Sequence, residues 1–136
     1  MSRSAGPTSK ARSRAERKAC SVYRLREQRH CHLVITEARI DALSVAAIEG
    51  IRADTLYAAT GGGMGPGTVQ AIEHLLGQMA QWPGALLAGA TDANRAGERY
   101  AARQAELAAA GGIAFERLAP PISTDWNDVL VERRPK

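Results

Sequence analysis

Carboxylates recur where short apolar runs end. Glu37 follows Leu33-Val34-Ile35-Thr36, Asp92 and Asn94 follow the run from Ala85 to Gly89, and Asp125, Asn127 and Asp128 follow Ile113 to Leu118. Hard cations such as Mg²⁺ are held by a few carboxylates together with water and phosphate oxygens, so these groups are candidates for a divalent metal site. Each has a structural alternative. A helix dipole favours an acid in the first turn, which accounts for Asp41 and ranks it behind Glu37. Asp125 and Asp128 have the spacing of a capping-box pair. Asp92 is a candidate N-cap, yet a cap needs only one side chain and Asp92 and Asn94 bracket the same turn.

Other chemistries fit less well. The segment from Gly61 to Gly67 satisfies G-x-G-x-x-G in no register, and Thr68 follows where a phosphate-cradling loop needs Lys. A flexible turn is the reading, although helix-start amides there could still meet a phosphate. A calcium loop starting at Asp92 would place Ala96 and Arg103 at ligand positions, and it fails. A phosphoaspartyl site belongs after the first strand of its sheet, not the third. In His30-Cys31-His32 the two histidines face opposite to the cysteine on an extended chain, and no second Cys/His pair supports zinc. Ser44 has no nearby His, so a hydrolase triad is unsupported.

The elements that must position these groups alternate in type. Strands are expected at 33–36, 55–59, 85–89 and 113–118. A first helix carries Ile40, Leu43, Ala47 and Ile51 on one apolar face and ends near Gly50. A second repeats Val69, Ile72, Leu76 and Met79 until Pro83-Gly84. A third runs from about 96 to 110, and a short fourth from Trp126 to Arg133 is clamped by its indole. The order βαβαβαβα predicts an α/β fold: a mostly parallel four-stranded sheet with helices on both faces. Its chemistry belongs beyond the carboxyl ends of the strands, where the acids stand.

At 136 residues, with 45% apolar and 24% charged residues, the chain suits one domain plus a tail. Its apolar stretches are too short to cross a bilayer, and aromatics at 4% exclude a base-stacking platform. Two cysteines make no disulfide framework and no signal-peptide core follows Met1, so a reducing cytoplasm is the expected location. The net charge of +4 divides unevenly: residues 1–30 carry nine Lys or Arg against two Glu, and the rest is mildly acidic. We therefore expect a basic, disordered arm over 1–30 and a folded domain over 31–136. Arg12, Arg14, Arg17 and Lys18 on the arm are candidate phosphate contacts, with salt-dependent binding. The arm's Arg- and Ser-rich, acid-poor makeup also resembles an organelle transit peptide, and a bacterial-style tail is equally compatible with it.

Taken in order, three motifs resemble the Toprim (topoisomerase–primase) domain. Ile35-Thr36-Glu37-Ala38-Arg39-Ile40-Asp41-Ala42-Leu43-Ser44 resembles its first motif. Thr91-Asp92-Ala93-Asn94-Arg95-Ala96-Gly97 resembles the Asp-x-Asp motif, and Asp125-Trp126-Asn127-Asp128-Val129-Leu130 the late acidic motif. The likeness covers residues 31–134 and is closest to Toprim-like domains of plasmid mobilisation proteins, conjugative relaxases and plasmid or phage primases. It implies a Rossmann-like Toprim fold with Mg²⁺, or Mn²⁺, gathered on a nucleic-acid phosphodiester. Glu37 would be the catalytic acid/base, and Asp92, Asn94 and Asp125 the metal ligands. Asn127, Asp128 and Asp41 would assist, and Arg95 would contact DNA or RNA. Asn94 and Asn127 stand where the family often carries Asp, and Thr124 replaces a usual Lys; each Asn removes a negative charge and weakens metal binding. Three functions follow: a Mg²⁺-dependent nucleotidyl or phosphodiester transferase of primase or nicking type, an impaired nucleic-acid-binding module serving relaxase, primase or helicase domains, or a mononucleotide binder at Gly61–Gly67.

Overall fold

Four apolar runs form one parallel sheet: β1 (His32–Thr36), β2 (Thr55–Ala59), β3 (Leu86–Gly89) and β4 (Ala114–Arg117). Helix α1 (Arg39–Glu49) joins β1 to β2, α2 (Pro66–Met79) joins β2 to β3, α3 (Arg95–Ala110) joins β3 to β4, and α4 (Trp126–Glu132) follows. This computed structural model describes residues 30–122 and 124–133, so Arg12, Arg14, Arg17 and Lys18 lie outside the described residues. The expected element order holds, although α2 starts at Pro66, inside the segment read as a glycine loop. Among the described residues no helix is long and apolar enough to cross a membrane.

The strand order is β2-β1-β3-β4. Central β1 pairs Val34 with Tyr57 of β2 on one side and with Ala88 of β3 on the other. The chain thus leaves β1 in one direction to β2 and then crosses back to β3 and β4. Such a reversal opens a crevice between the carboxyl ends of β1 and β3, where open α/β sheets place their ligands.

Side chains alternate across each strand, which splits the core into two layers. Leu33, Ile35, Leu87 and Ile113 pack with Ile72, Leu76 and Met79 of α2 and Leu107 of α3. On the opposite face Val34, Ala88 and Ala90 meet Val45 of α1 and Trp126 of α4. Helices therefore cover both faces.

One helix turns differently from its periodicity. Ile40, Leu43 and Ile51 are 53%, 67% and 72% exposed. The buried residues of α1 are instead Asp41, Ala42, Ser44, Val45 and Ala46. The reason is close packing on two sides. Helix α1 meets β1 and β2 beneath it and α4 beside it, and small side chains permit that approach. Buried Ser44 spends its hydroxyl on the Ile40 carbonyl at 2.8 Å.

Candidate metal centre at the strand exits

At the exit of β1, fully buried Thr36 fixes the turn: its Oγ1 lies 3.0 Å from Ala38 O and 3.3 Å from Ala58 O, and its single hydroxyl proton is shared between these two carbonyls. Glu37 then reaches across the crevice. Its Oε2 accepts the Asp92 backbone N–H at 3.0 Å, joining the exits of β1 and β3. At the β3 exit, buried Thr91 donates to Gly97 O at 2.7 Å, and Asn94 Oδ1 accepts the Gly97 N–H at 2.7 Å. Asn94 is thus the N-cap of α3, and the Asp92 carboxylate is not needed for that task.

At the third exit, Asp125 and Asp128 form the reciprocal capping box of α4, with bonds of 2.8 Å and 3.2 Å. Each bond engages one carboxylate oxygen and leaves the other. Trp126 seats the helix through packing and through its indole N–H, which donates to Ala90 O at 2.9 Å. Asp41 lies against the same helix start, where its Oδ1 accepts from the Asn127 N–H at 3.4 Å. Asp92, Asn94, Thr124, Asp125 and Asp128 line a cleft of about 370 Å³. Glu37 is linked to this cleft through its bond to the Asp92 amide rather than as a lining residue.

These acids sense one another. Burial pushes the Asp41 carboxyl above its usual range against the opposing Asn127 amide, and the charges of Asp125, Asp92 and Glu37 push the same way. Burial also raises Asp92, the charge of Asp125 raises it further, and the Arg117 guanidinium pulls it down. A cation placed among them would relieve both burdens.

The Toprim-like family model matches residues 34–130, which spans all three exits. The chain belongs to the Toprim-like family. No curated protein and no solved structure matches it. Toprim domains generally bind a divalent metal and nucleic acid. The donor set of this chain suits such an ion, because it consists of oxygens from several acids that repel one another. Asn94 has one lone pair of its amide oxygen engaged by the cap and a second remaining. Arg95 is exposed as the first residue of α3.

A second cluster sits at the opposite end of the sheet. Ligand atoms of buried Cys31, His32 and Asp54 lie within 4.8 Å of one another, making a possible metal-binding group. The surroundings favour an ion-pair knot. Cys31 is disulfide-bonded, which was not foreseen, and a disulfide sulfur offers no thiolate. Both Asp54 oxygens take Arg52 at 3.2 and 2.9 Å, and Thr55 adds a third bond. Burial alone would raise Asp54, but these bonds and the Arg52 charge hold it below the ordinary range.

Asp41, expected as a first-turn acid favoured by the helix dipole, does stand in the first turn of α1, but buried and accepting the Asn127 N–H. Sequence reasoning passed over Arg117 altogether, since nothing local marks it.

Proposed function

We propose that this Toprim-like domain holds Mg²⁺, or Mn²⁺ in its place, with Glu37, Asp41, Asp92 and Asp125 and presents it to a nucleic-acid phosphodiester. Asn94, Asn127 and Asp128 assist through their remaining oxygens. Such an ion neutralises charge on the transferred phosphoryl group. Glu37 handles the proton, while Arg95 and the basic residues of the arm, Arg12, Arg14, Arg17 and Lys18, grip neighbouring phosphates. The observation that carries this reading is the bond from the Asp92 amide to the Glu37 carboxylate, which brings the first and second motifs together. The motif likeness to plasmid mobilisation proteins, relaxases and primases supports a role in plasmid DNA replication or mobilisation, beside relaxase, primase or helicase domains.

A Mn²⁺ and Mg²⁺ titration followed residue by residue tests the site. Signals of Glu37, Asp41, Asp92 and Asp125 should move together. Glu37→Gln should weaken binding on the order of tenfold or more without unfolding the protein, since its amide oxygen still accepts from Asp92. A titration that moves other residues and leaves these four untouched would refute the site.

The alternative is a nucleic-acid-binding module without turnover. It is favoured by Asn94, which serves as a helix cap and lacks the charge the motif usually carries. Mg²⁺-dependent nicking or extension abolished by Glu37→Gln would decide for the enzyme. Unchanged DNA affinity in that variant, with no turnover by the parent, would decide for the module.

A further inference from the structure

Arg117, the last residue of β4, belongs to none of the three motifs, yet its side chain converges on the second. Nη1 donates to Gly89 O at 2.8 Å and Thr91 O at 2.9 Å, and Nη2 donates to Asp92 O at 2.9 Å. A longer bond of 3.4 Å runs from Nη1 to Leu118 O. Nε and Nη2 also fork onto the carboxylate of Glu98, in the first turn of α3, at 3.0 and 2.9 Å. Strand pairing stops at Gly89, so the carbonyls of Thr91 and Asp92 lie past the point where a neighbouring strand supplies donors. A planar guanidinium with five donors in fixed directions suits this task, and an ammonium cannot cover the same acceptors.

We propose that Arg117, braced by Glu98, is the positioning residue for Asp92. It fixes the β3 exit so that the Asp92 amide meets Glu37 while the Asp92 side chain lines the cleft. Three elements converge there: the end of β3, the end of β4 and the start of α3. For its consequence on metal affinity this inference rests on the function proposed above. For the geometry it does not.

The test uses Arg117→Lys and Arg117→Gln in the full chain, with two readouts. The first is metal-free hydrogen exchange at the Asp92 amide. Protection should fall about tenfold or more in both variants, since each lost hydrogen bond changes the opening equilibrium by roughly fivefold and more than one is lost, while the core amides of Leu33 and Leu87 keep theirs. The second is Mn²⁺ affinity, which should drop about 10- to 100-fold, the usual cost of losing an outer partner of a metal site. Lys keeps the charge and loses the fork, so rescue by Lys would overturn the proposal, as would wild-type protection at Asp92 in both variants. If the Arg117 variants do not fold, Glu98→Gln loosens the fork from its exposed end. A fall in Asp92 protection there supports the proposal, and unchanged protection overturns it. Lost protection with no Mn²⁺ binding even by the parent would sink the metal reading and leave the positioning role standing. Intact protection with weakened Mn²⁺ binding would do the reverse.

Discussion

Gly97→Ala is the sharpest perturbation of the β3 exit. Gly97 is the third residue of α3, and a Cβ there would lie 1.9 Å from the Asp92 carbonyl oxygen and 2.7 Å from its carbon. Ordinary contact begins near 3.4 Å, so the Asp92 backbone would have to retreat by about 1.5 Å. The obstacle is backbone, with no flexible side-chain end to swing aside. A shift of that size breaks the bonds from Asp92 N–H to Glu37 and from Arg117 to Asp92 O. Overpacking costs about 1–3 kcal/mol and each lost bond about 1 kcal/mol, offset by up to about 1 kcal/mol of better helix propensity. The net loss is about 2–4 kcal/mol, which lowers Tm by roughly 10–25 °C in a domain of this size. Thermal unfolding by circular dichroism reads this directly, and Mn²⁺ affinity should fall with it. Gly77→Ala is the control, because nothing lies within 4 Å of a Cβ built there, and it should hold or slightly raise Tm. A Gly97→Ala protein that melts at or above the parent temperature would refute the reasoning.

Two further outcomes follow from the same geometry. Asp41 is raised in the folded state, so the metal-free protein binds its proton more tightly folded than unfolded. Stability attributable to this group therefore falls as pH rises from its ordinary value near 3.8 through its folded value. Asp41→Asn removes that burden and keeps an acceptor for the Asn127 amide. It should be more stable than the parent near neutral pH without metal, lose the advantage in acid, and bind Mn²⁺ more weakly; urea melts across pH that show no gain at neutrality would count against it. Trp126→Phe keeps an aromatic ring but leaves Ala90 O without its indole donor, and should cost about 1–2 kcal/mol in urea unfolding. Parent-like stability would mean that the indole bond contributes little to docking α4.

The order of elements was legible because apolar runs of four or five residues, fenced by Gly, Pro and polar turns, have few ways to be buried other than as parallel strands. The acids at the exits were legible for a related reason: strand ends converge at the reversal of the sheet, so residue type and position within the run located Glu37, Asp92 and Asp125 together. Which face α1 buries was not. Ile40, Leu43 and Ala47 repeat at helical spacing, and so do Asp41, Ala42 and Val45; only the arrival of α4, residues from the far end of the chain, selects the second set. Arg117 was hidden for the same kind of reason. Its acceptors at Gly89, Thr91 and Asp92 lie 25 to 28 residues away, with no local pattern to mark them.

The choice between cap and ligand also dissolves once the backbone is seen. Asn94 is extended and immediately precedes α3, so it takes the cap and releases Asp92. Asp125 caps α4 with one oxygen while its charge still acts on Asp41 and Asp92. Capping and charge clustering are therefore compatible at this exit, because the cap fixes where the carboxylate stands. The consequence is a folded state that carries its own repulsion. Asp41 and Asp92 are held close to other acids at a cost in the metal-free protein, and that arrangement persists only if the backbone beneath Asp92 cannot relax. Thr91, Asn94, Gly97, Arg117 and Glu98 all act on that one turn and hold its backbone in place.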